Sequence, residues 1–247
     1  MEDLTAVATA KYTEIYAVLR QRIESGIYGF QDFLPSENSL SQDFGVTRNT
    51  LRKALTQLAH RGYIQSMQGR GNQVIYRQRD SSRFFLSEIE SFAEATARLG
   101  LTTRTVLLSS EQVTISREVA QASGLPEGAH AWSLVRLRYL DERPVIIDRS
   151  LFLVDIVPYI PEEAATTSVY DYLENVVGVS TYSSLRMVTI DAADDLDRQY
   201  LDLDGLDCVA VVESIGFEAS GLPFEYTFAH HVPATFGFLV VARRPPA

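Results

Sequence analysis

A chain of 247 residues, 46% of them hydrophobic, has room for one or two globular domains, and its one cysteine, Cys208, excludes an intramolecular disulfide and a cysteine-based zinc cluster. The formal net charge of −10 argues against a nucleic-acid binder only until its distribution is read. Residues 1–80 carry 10 basic and 8 acidic residues, residues 81–247 carry 12 and 24, and the 36 residues from Phe44 to Arg79 hold seven basic side chains and no acidic one.

Residues 1–9 have no strong pattern and are expected to fray. From Tyr12 the spacing predicts a helix with Ile15, Val18, Leu19 and Ile23 as its apolar stripe, stopped by Ser25-Gly26. Ile27 to Leu34 reads as a loop. Ser36 is placed to cap a second helix that runs through Leu40 to Phe44 and is broken by Gly45. A third helix follows, with Leu51, Leu55 and Leu58 on one face and Thr47, Arg48, Asn49, Arg52 and Lys53 at its start and on its other faces. Hydroxyls, an amide and guanidiniums on the first turns of a helix suit phosphates and base edges; a solvated cationic surface helix would look the same in isolation. Two short helices across a glycine turn predict a helix-turn-helix. Two short strands flanking Gln68-Gly69-Arg70-Gly71 then predict a hairpin, the wing of a winged helix, with Arg70 at its tip.

The polar stretch 78–87 reads as a linker between a DNA-binding domain at 9–77 and a second domain at 88–247. In that second domain a helix is expected over 88–99, a strand through Val106–Ile115, a helix over Arg117–Ser123, and strands at Ala131–Tyr139 and Val145–Val154 joined by Asp141-Glu142-Arg143-Pro144. A helix at Ser168–Val177 has Val169, Leu173, Val176 and Val177 as its apolar side. A strand at Tyr182–Ile190, a helix at Ala193–Leu201 and strands at Cys208–Phe217, Phe224–His231 and Phe236–Ala242 complete an α+β domain built on an antiparallel sheet.

Period-2 alternation puts Arg136 and Arg138 on one strand face with Trp132 and Leu134. Two neighbouring guanidiniums repel unless an anion lies between them; Asp148 on the returning strand could supply it, and so could a ligand phosphate or carboxylate. Ser168 and Tyr170 open a helix, either as an anion site or as ordinary capping. Glu225, alternating with Phe224 and Tyr226, offers an acceptor for vicinal hydroxyls. Arginines, an acid and aromatic faces together suit a sugar phosphate; an acidic pocket wall facing solvent would look the same. The four histidines show no metal-ligand spacing, and His230 and His231, being adjacent, should face opposite sides of a strand. No metal and no cofactor is expected. With no signal peptide and no apolar run near 18 residues, the chain is read as cytoplasmic with no membrane partner.

Leu34-Pro35-Ser36-Glu37, Phe44 to Leu55 and Gly69-Arg70-Gly71 resemble the DNA-binding domain of the GntR family of regulators. That resemblance implies operator contacts from Ser36, Thr47, Arg48, Asn49, Thr50, Arg52, Gln68, Gly69 and Arg70, with Asn38 standing where some members use an arginine. Residues 88–247 resemble the UTRA-type effector and dimerisation domain of HutC-type members, which implies a chorismate-lyase-like fold and a homodimer. It implies effector contacts from Arg136, Arg138, Asp148, Ser168, Tyr170, Glu225 and His231, and from main-chain groups of Phe92 and Ala93. Asp148 replaces a frequent Glu and His231 a frequent Tyr, which points away from a simple amino-sugar phosphate. Gly62-Tyr63-Ile64-Gln65, Val145 to Arg149, Leu201-Asp202-Leu203, Phe224 to Thr227 and Phe236 to Arg244 are similar to the trehalose-operon repressors within that class. The implied protein is a repressor released from double-stranded operator DNA by trehalose 6-phosphate, or by an amino-sugar phosphate, a phosphonate or an organic acid. The lyase-like fold raises an enzymatic alternative, but the chain shows no nucleophile–base pair and no metal set.

Overall fold

The computed structural model describes residues 4–77, 84–85, 89 and 91–239. These fall into two compact units, one within Met1–Asp80 and one spanning Ser81–Leu239. Most of the linker expected at 78–87, and residues 240–242 of the expected last strand, lie outside the described residues.

The N-terminal unit holds three helices, α1 (Leu4–Glu24), α2 (Glu37–Asp43) and α3 (Arg48–His60), and a hairpin of β1 (Ile64–Met67) and β2 (Gly71–Val74). α1 begins at Leu4, well before the expected start near Tyr12. Ser36 caps α2 by accepting from the Ser39 N–H at 3.2 Å, and Thr47 caps α3 by accepting from the Thr50 N–H at 3.3 Å. Between them Gly45, at φ 61°, takes the left-handed conformation that lets the chain turn without a Cβ clash. Leu51, Ala54, Leu55 and Leu58 of α3 are buried against Ile15, Leu19 and Ile23 of α1. Each such leucine stabilises the unit by about 1.5–3 kcal/mol, so this one stripe fixes the helix orientation. β1 and β2 pair antiparallel from Ile64↔Val74 to Met67↔Gly71, and an isolated bridge, Phe33↔Gln73, ties the hairpin to the segment before α2.

The C-terminal unit contains β3 (Phe84–Phe85), α4 (Phe92–Leu99), β4 (Thr103–Thr114), α5 (Arg117–Ser123), β5 (His130–Leu140) and β6 (Arg143–Leu153). It continues with α6 (Glu162–Thr166), α7 (Val169–Tyr172), a π-helical turn (Leu173–Val177), β7 (Ser183–Ala192), α8 (Asp195–Tyr200), β8 (Cys208–Phe217), β9 (Pro223–His231) and β10 (Phe238–Leu239). Six strands form one antiparallel sheet in the order β4-β5-β6-β9-β8-β7; β3 and β10 make a separate short parallel pair. Alternation along each strand sends Leu137, Ile147, Val209 and Val211 to the side covered by Ala193, Leu201 and Leu203. Leu134, Phe152 and Phe224 pack on the opposite side with Ala164 and Ala165 of α6, Val169 of α7 and Leu173.

Three expectations shift. α4 starts at Phe92, where Ser91 and Glu94 close a capping box, and not at residue 88. α6 was not foreseen; its five residues are too short to show a helical period. The helix expected over Ser168–Val177 is a single α-turn followed by a π-turn, whose wider winding leaves Val176 70% exposed although it was assigned to the apolar side, while Val177 still packs inward.

Candidate functional site

The N-terminal unit carries the residues matched to operator contact on one short stretch and one hairpin. Thr47 spends its hydroxyl on the α3 cap and also lies 3.0 Å from the Thr50 Oγ1. Arg48, Asn49 and Arg52 project from exposed positions on the first turns of α3, and Ser36 and Asn38 are exposed at the start of α2. Arg52 donates from Nε to Glu37 Oε2 at 2.8 Å, with 62% of its side chain exposed. Gln68, Gly69 and Arg70 form the hairpin tip, where Gly69 (φ 72°) and Gly71 (φ 102°) hold the tight turn, and the Arg70 guanidinium lies 5.8 Å from the Phe33 ring. A capped helix whose first turns present exposed cations, next to a cationic hairpin tip, can enter a groove and grip phosphates on either side.

The C-terminal unit brings together residues that the sequence scatters. Arg136↔Asp148 is a register pair of β5 and β6, and Arg138 is two residues further along the same face. Arg136 donates from Nη2 to Asp148 Oδ1 at 2.6 Å and Arg138 from Nη2 to Oδ2 at 2.9 Å, all three being buried. Ser150 donates to Asp148 Oδ1 at 2.7 Å and accepts from Arg136 at 3.1 Å. Burial alone would raise the Asp148 pKa, but the two guanidiniums outweigh it and hold the carboxyl well below the usual range. Burial lowers the Arg138 pKa, with Asp148 opposing. Two buried cations thus share one carboxylate, and one positive charge is left over.

Glu225 of β9 accepts from the Tyr170 hydroxyl at 3.0 Å through each oxygen. Burial pushes its pKa up to about 7 while the Tyr170 hydrogen bond pulls the other way. Gly216 of β8 makes room for it: a Cβ there would lie 2.6 Å from Glu225 Oε2 and 3.0 Å from Glu225 Cβ. His231 is buried, its pKa lowered to about 3 chiefly by desolvation, so it offers a neutral ring. Ser168 is committed to capping α7, accepting from the Asp171 N–H at 3.2 Å, which matches the ordinary reading of that hydroxyl. The ring of Phe92, at the start of α4, lies 5.0 Å from the Arg138 guanidinium.

Arg136, Arg138, Asp148, Ser168, Tyr170, Glu225, His231, Phe92 and Ala93 all line one cavity, which encloses about 950 Å³ of empty space counting the open solvent at its mouth. A second cavity of about 840 Å³ shares Ser91, Ala93, Ser168 and Tyr170 with the first and is rimmed by Glu94, Asp171 and Glu174. Sequence reasoning missed Ser150, Thr227, Ser214 and Arg186 as lining residues. Ser150 and Thr227 carried a usable signal, lying two residues from Asp148 and from Glu225 on the same strand faces; Ser214 and Arg186 sit on strands whose order the sequence does not state.

The adjacent histidines separate as expected, since His231 lines the cavity while the His230 Nδ1 lies 2.8 Å from Asp197 Oδ2. Asp194, Asp197 and His230 converge within 4.8 Å although no metal-ligand spacing marked them. Their groups are engaged already, in the α8 capping box and in an ion pair between Asp194 and Arg149 at 2.7 Å.

Comparison with known proteins follows this division. Residues 11–74 match the family of bacterial regulatory proteins described as gntR, and residues 98–236 match the UTRA domain. The chain is 32% identical over 234 residues to the HTH-type transcriptional regulator TreR of Bacillus subtilis, covering 95% of this chain and 98% of that one. It is 26% identical over 230 residues to the HTH-type transcriptional regulator GmuR of the same species, covering 90% and 93%. The crystal structure of the possible transcriptional regulator YydK from B. subtilis shares the fold with a TM-score of 0.80 at 21% identity, over 94% of this chain and 99% of that one. The effector-binding domain of the B. subtilis trehalose repressor aligns with a TM-score of 0.52 at 27% identity, over 58% of this chain and 99% of that domain.

Proposed function

Because the chain belongs to the GntR family of bacterial regulatory proteins and carries a UTRA effector domain, we propose that it is a homodimeric repressor released from its operator by trehalose 6-phosphate. The chain is a DNA-binding transcriptional regulator with a small-molecule effector domain, and not an enzyme. No helix of the described residues is long and apolar enough to cross a membrane.

One observation carries the finer reading. Arg136 and Arg138 share the single carboxylate of Asp148 in a buried cavity, so an incoming anion completes a charge balance that the protein leaves open. Glu225 and the hydroxyls beside it supply acceptors and donors for a polyol attached to that anion. The phosphate supplies the charge and the sugar the hydrogen bonds. TreR, named above, is one of the relatives that span nearly the whole chain.

On the DNA side, α3 lies in the major groove with Arg48, Asn49 and Arg52 at the bases and phosphates, and Arg70 of the wing reaches the neighbouring backbone or minor groove. Ser36, Asn38, Thr47, Thr50, Gln68 and Gly69 add positioning contacts. Two copies read a two-fold operator. Leu185 and Met187 stand exposed on one face of β7, an edge strand of the sheet, and a second copy would cover them. Release follows if the effector binds the DNA-incompetent arrangement better; a tenfold preference is worth about 1.4 kcal/mol.

The test is a gel shift on the upstream region of the protein's own operon, with and without trehalose 6-phosphate. Arg48→Ala is expected to weaken operator binding by about 1–3 kcal/mol and to leave effector binding intact. Arg138→Ala should keep operator binding and lose the response. A normal response from Arg138→Ala sinks the pocket assignment; a shift that trehalose 6-phosphate never reverses sinks the effector.

A further inference from the structure

The hairpin wing of the N-terminal unit has a third edge. Residues 31–34, between α1 and α2, run along β2. The Gln31 N–H donates to the Val74 carbonyl at 2.9 Å, the Val74 N–H to the Asp32 carbonyl at 2.8 Å, and the Leu34 N–H to the Asn72 carbonyl at 2.9 Å. The Gln73 side-chain amide donates to the Gln31 carbonyl at 3.0 Å and ties the same edge. Phe33 stands directly across from Gln73. Alternation buries Asn72 and Val74, so the face that Gln73 and Phe33 share is the open one.

Phe33 is thus a large apolar side chain fixed on a solvent-facing surface, 40% exposed. Its ring lies beside Gly71, where an added Cβ would touch the Phe33 Cδ1 at 3.9 Å, and it reaches to 5.8 Å from the Arg70 guanidinium, within range of a cation–π contact. Arg70 is exposed at the hairpin tip, its backbone fixed by an N–H that donates to the Met67 carbonyl at 3.1 Å. A long side chain on such a tip loses rotamer freedom when it grips a phosphate. A ring that already holds the guanidinium lowers that cost. The same loop repeats the contact away from the tip, where the Phe30 ring lies 4.6 Å from the Arg77 guanidinium, beyond the end of β2.

We propose that Phe33 is a positioning residue for operator binding: its ring presents the Arg70 guanidinium to the DNA. The proposal rests on the reading above that places Arg70 of the wing against the DNA. Part of the wing's contribution to affinity then passes through an aromatic side chain in the loop before α2, outside both the recognition helix and the hairpin. A ring is what the role needs, because an aliphatic side chain of similar bulk fills the space over Gly71 but offers no π face to the cation.

Fluorescence anisotropy tests this with the full chain on a labelled duplex from the upstream region of its own operon. Phe33→Leu is expected to weaken binding about threefold, the scale of an exposed cation–π contact, and Phe33→Tyr, which keeps the ring, to stay within about 1.5-fold of wild type. Arg70→Ala should cost more, and adding Phe33→Leu to it should change the affinity by less than about 1.5-fold. Phe30→Leu removes a ring from the same loop and should leave the affinity within about 1.5-fold. An unchanged affinity for Phe33→Leu overturns the proposal. So does an equal loss with and without Arg70, which would mean that Phe33 acts through the fold of the loop or touches the DNA itself. If Arg70→Ala binds as wild type does, the wing contact and the proposal fall together, and DNA reading by α3 stands.

Discussion

Arg52 in the N-terminal unit and Arg138 in the C-terminal unit each meet one carboxylate at nearly the same distance, 2.8 Å to Glu37 and 2.9 Å to Asp148. Their side chains are 62% and 11% exposed. That difference in solvent decides what each pair can do. Water screens the first pair and offers Arg52 an equivalent partner at small cost, so a DNA phosphate can take it from Glu37. The second pair is out of water, where a guanidinium cannot lose its anion without a heavy desolvation penalty. On the proposed reading, Arg138 responds to a ligand that brings its own negative charge into the cavity.

Three measurements break or sharpen this contrast. The largest effect is expected from Asp148→Ala, which leaves two buried guanidiniums facing each other and should destabilise the C-terminal unit by about 3–5 kcal/mol in urea; a loss below about 1 kcal/mol would show that water reaches this cluster after all.

Glu225 gives the next effect. Its pKa rises from an ordinary 4.5 to about 7 on folding, so the folded state holds the proton more tightly. Its contribution is full below pH 4.5 and is lost as pH rises through 7, on the order of 3 kcal/mol across that window. His231, lowered to about 3, works in the opposite sense, since its contribution grows as pH rises from 3 to 6.5. The clean readout is therefore wild type against Glu225→Gln, which mimics the protonated acid: wild type should lose stability relative to the variant steadily between pH 4.5 and 8. A difference independent of pH would mean that Glu225 is ionised throughout.

The smallest effect belongs to the exposed pair. A double-mutant cycle on Arg52 and Glu37 should give a coupling below about 1 kcal/mol, whereas the same cycle on Arg138 and Asp148 should give several times that. Equal couplings would remove the distinction between the two units.

The two units also differ in how far the sequence exposes them. The α3 surface is contiguous, and Thr47, Arg48, Asn49 and Arg52 are legible as a cap and exposed first turns because helical spacing is a local property. The cavity is assembled across strands from residues as distant as Phe92 and His231. Alternation alone put Arg136 and Arg138 on one face, and the returning strand brought Asp148 opposite, since a short turn fixes the β5–β6 register. The insertion of β9 between β6 and β8 has no local signature, so Arg186 and Ser214 could not be placed against Ser150 from the chain alone. The π-turn escaped for a related reason: Val176 fits a helical stripe on paper, and only tertiary packing shows the chain winding past it.

Gly216 adds a constraint on how this site can change over generations. A methyl group there collides with the Glu225 carboxylate and approaches Thr181 Cγ2 at 3.2 Å, so the two positions are coupled neighbours. A lineage exploring new effectors must shorten or redirect the side chain at 225 before any residue larger than glycine is accepted at 216. The reverse order passes through a misshapen cavity, so the site's history has a preferred direction built into a missing side chain.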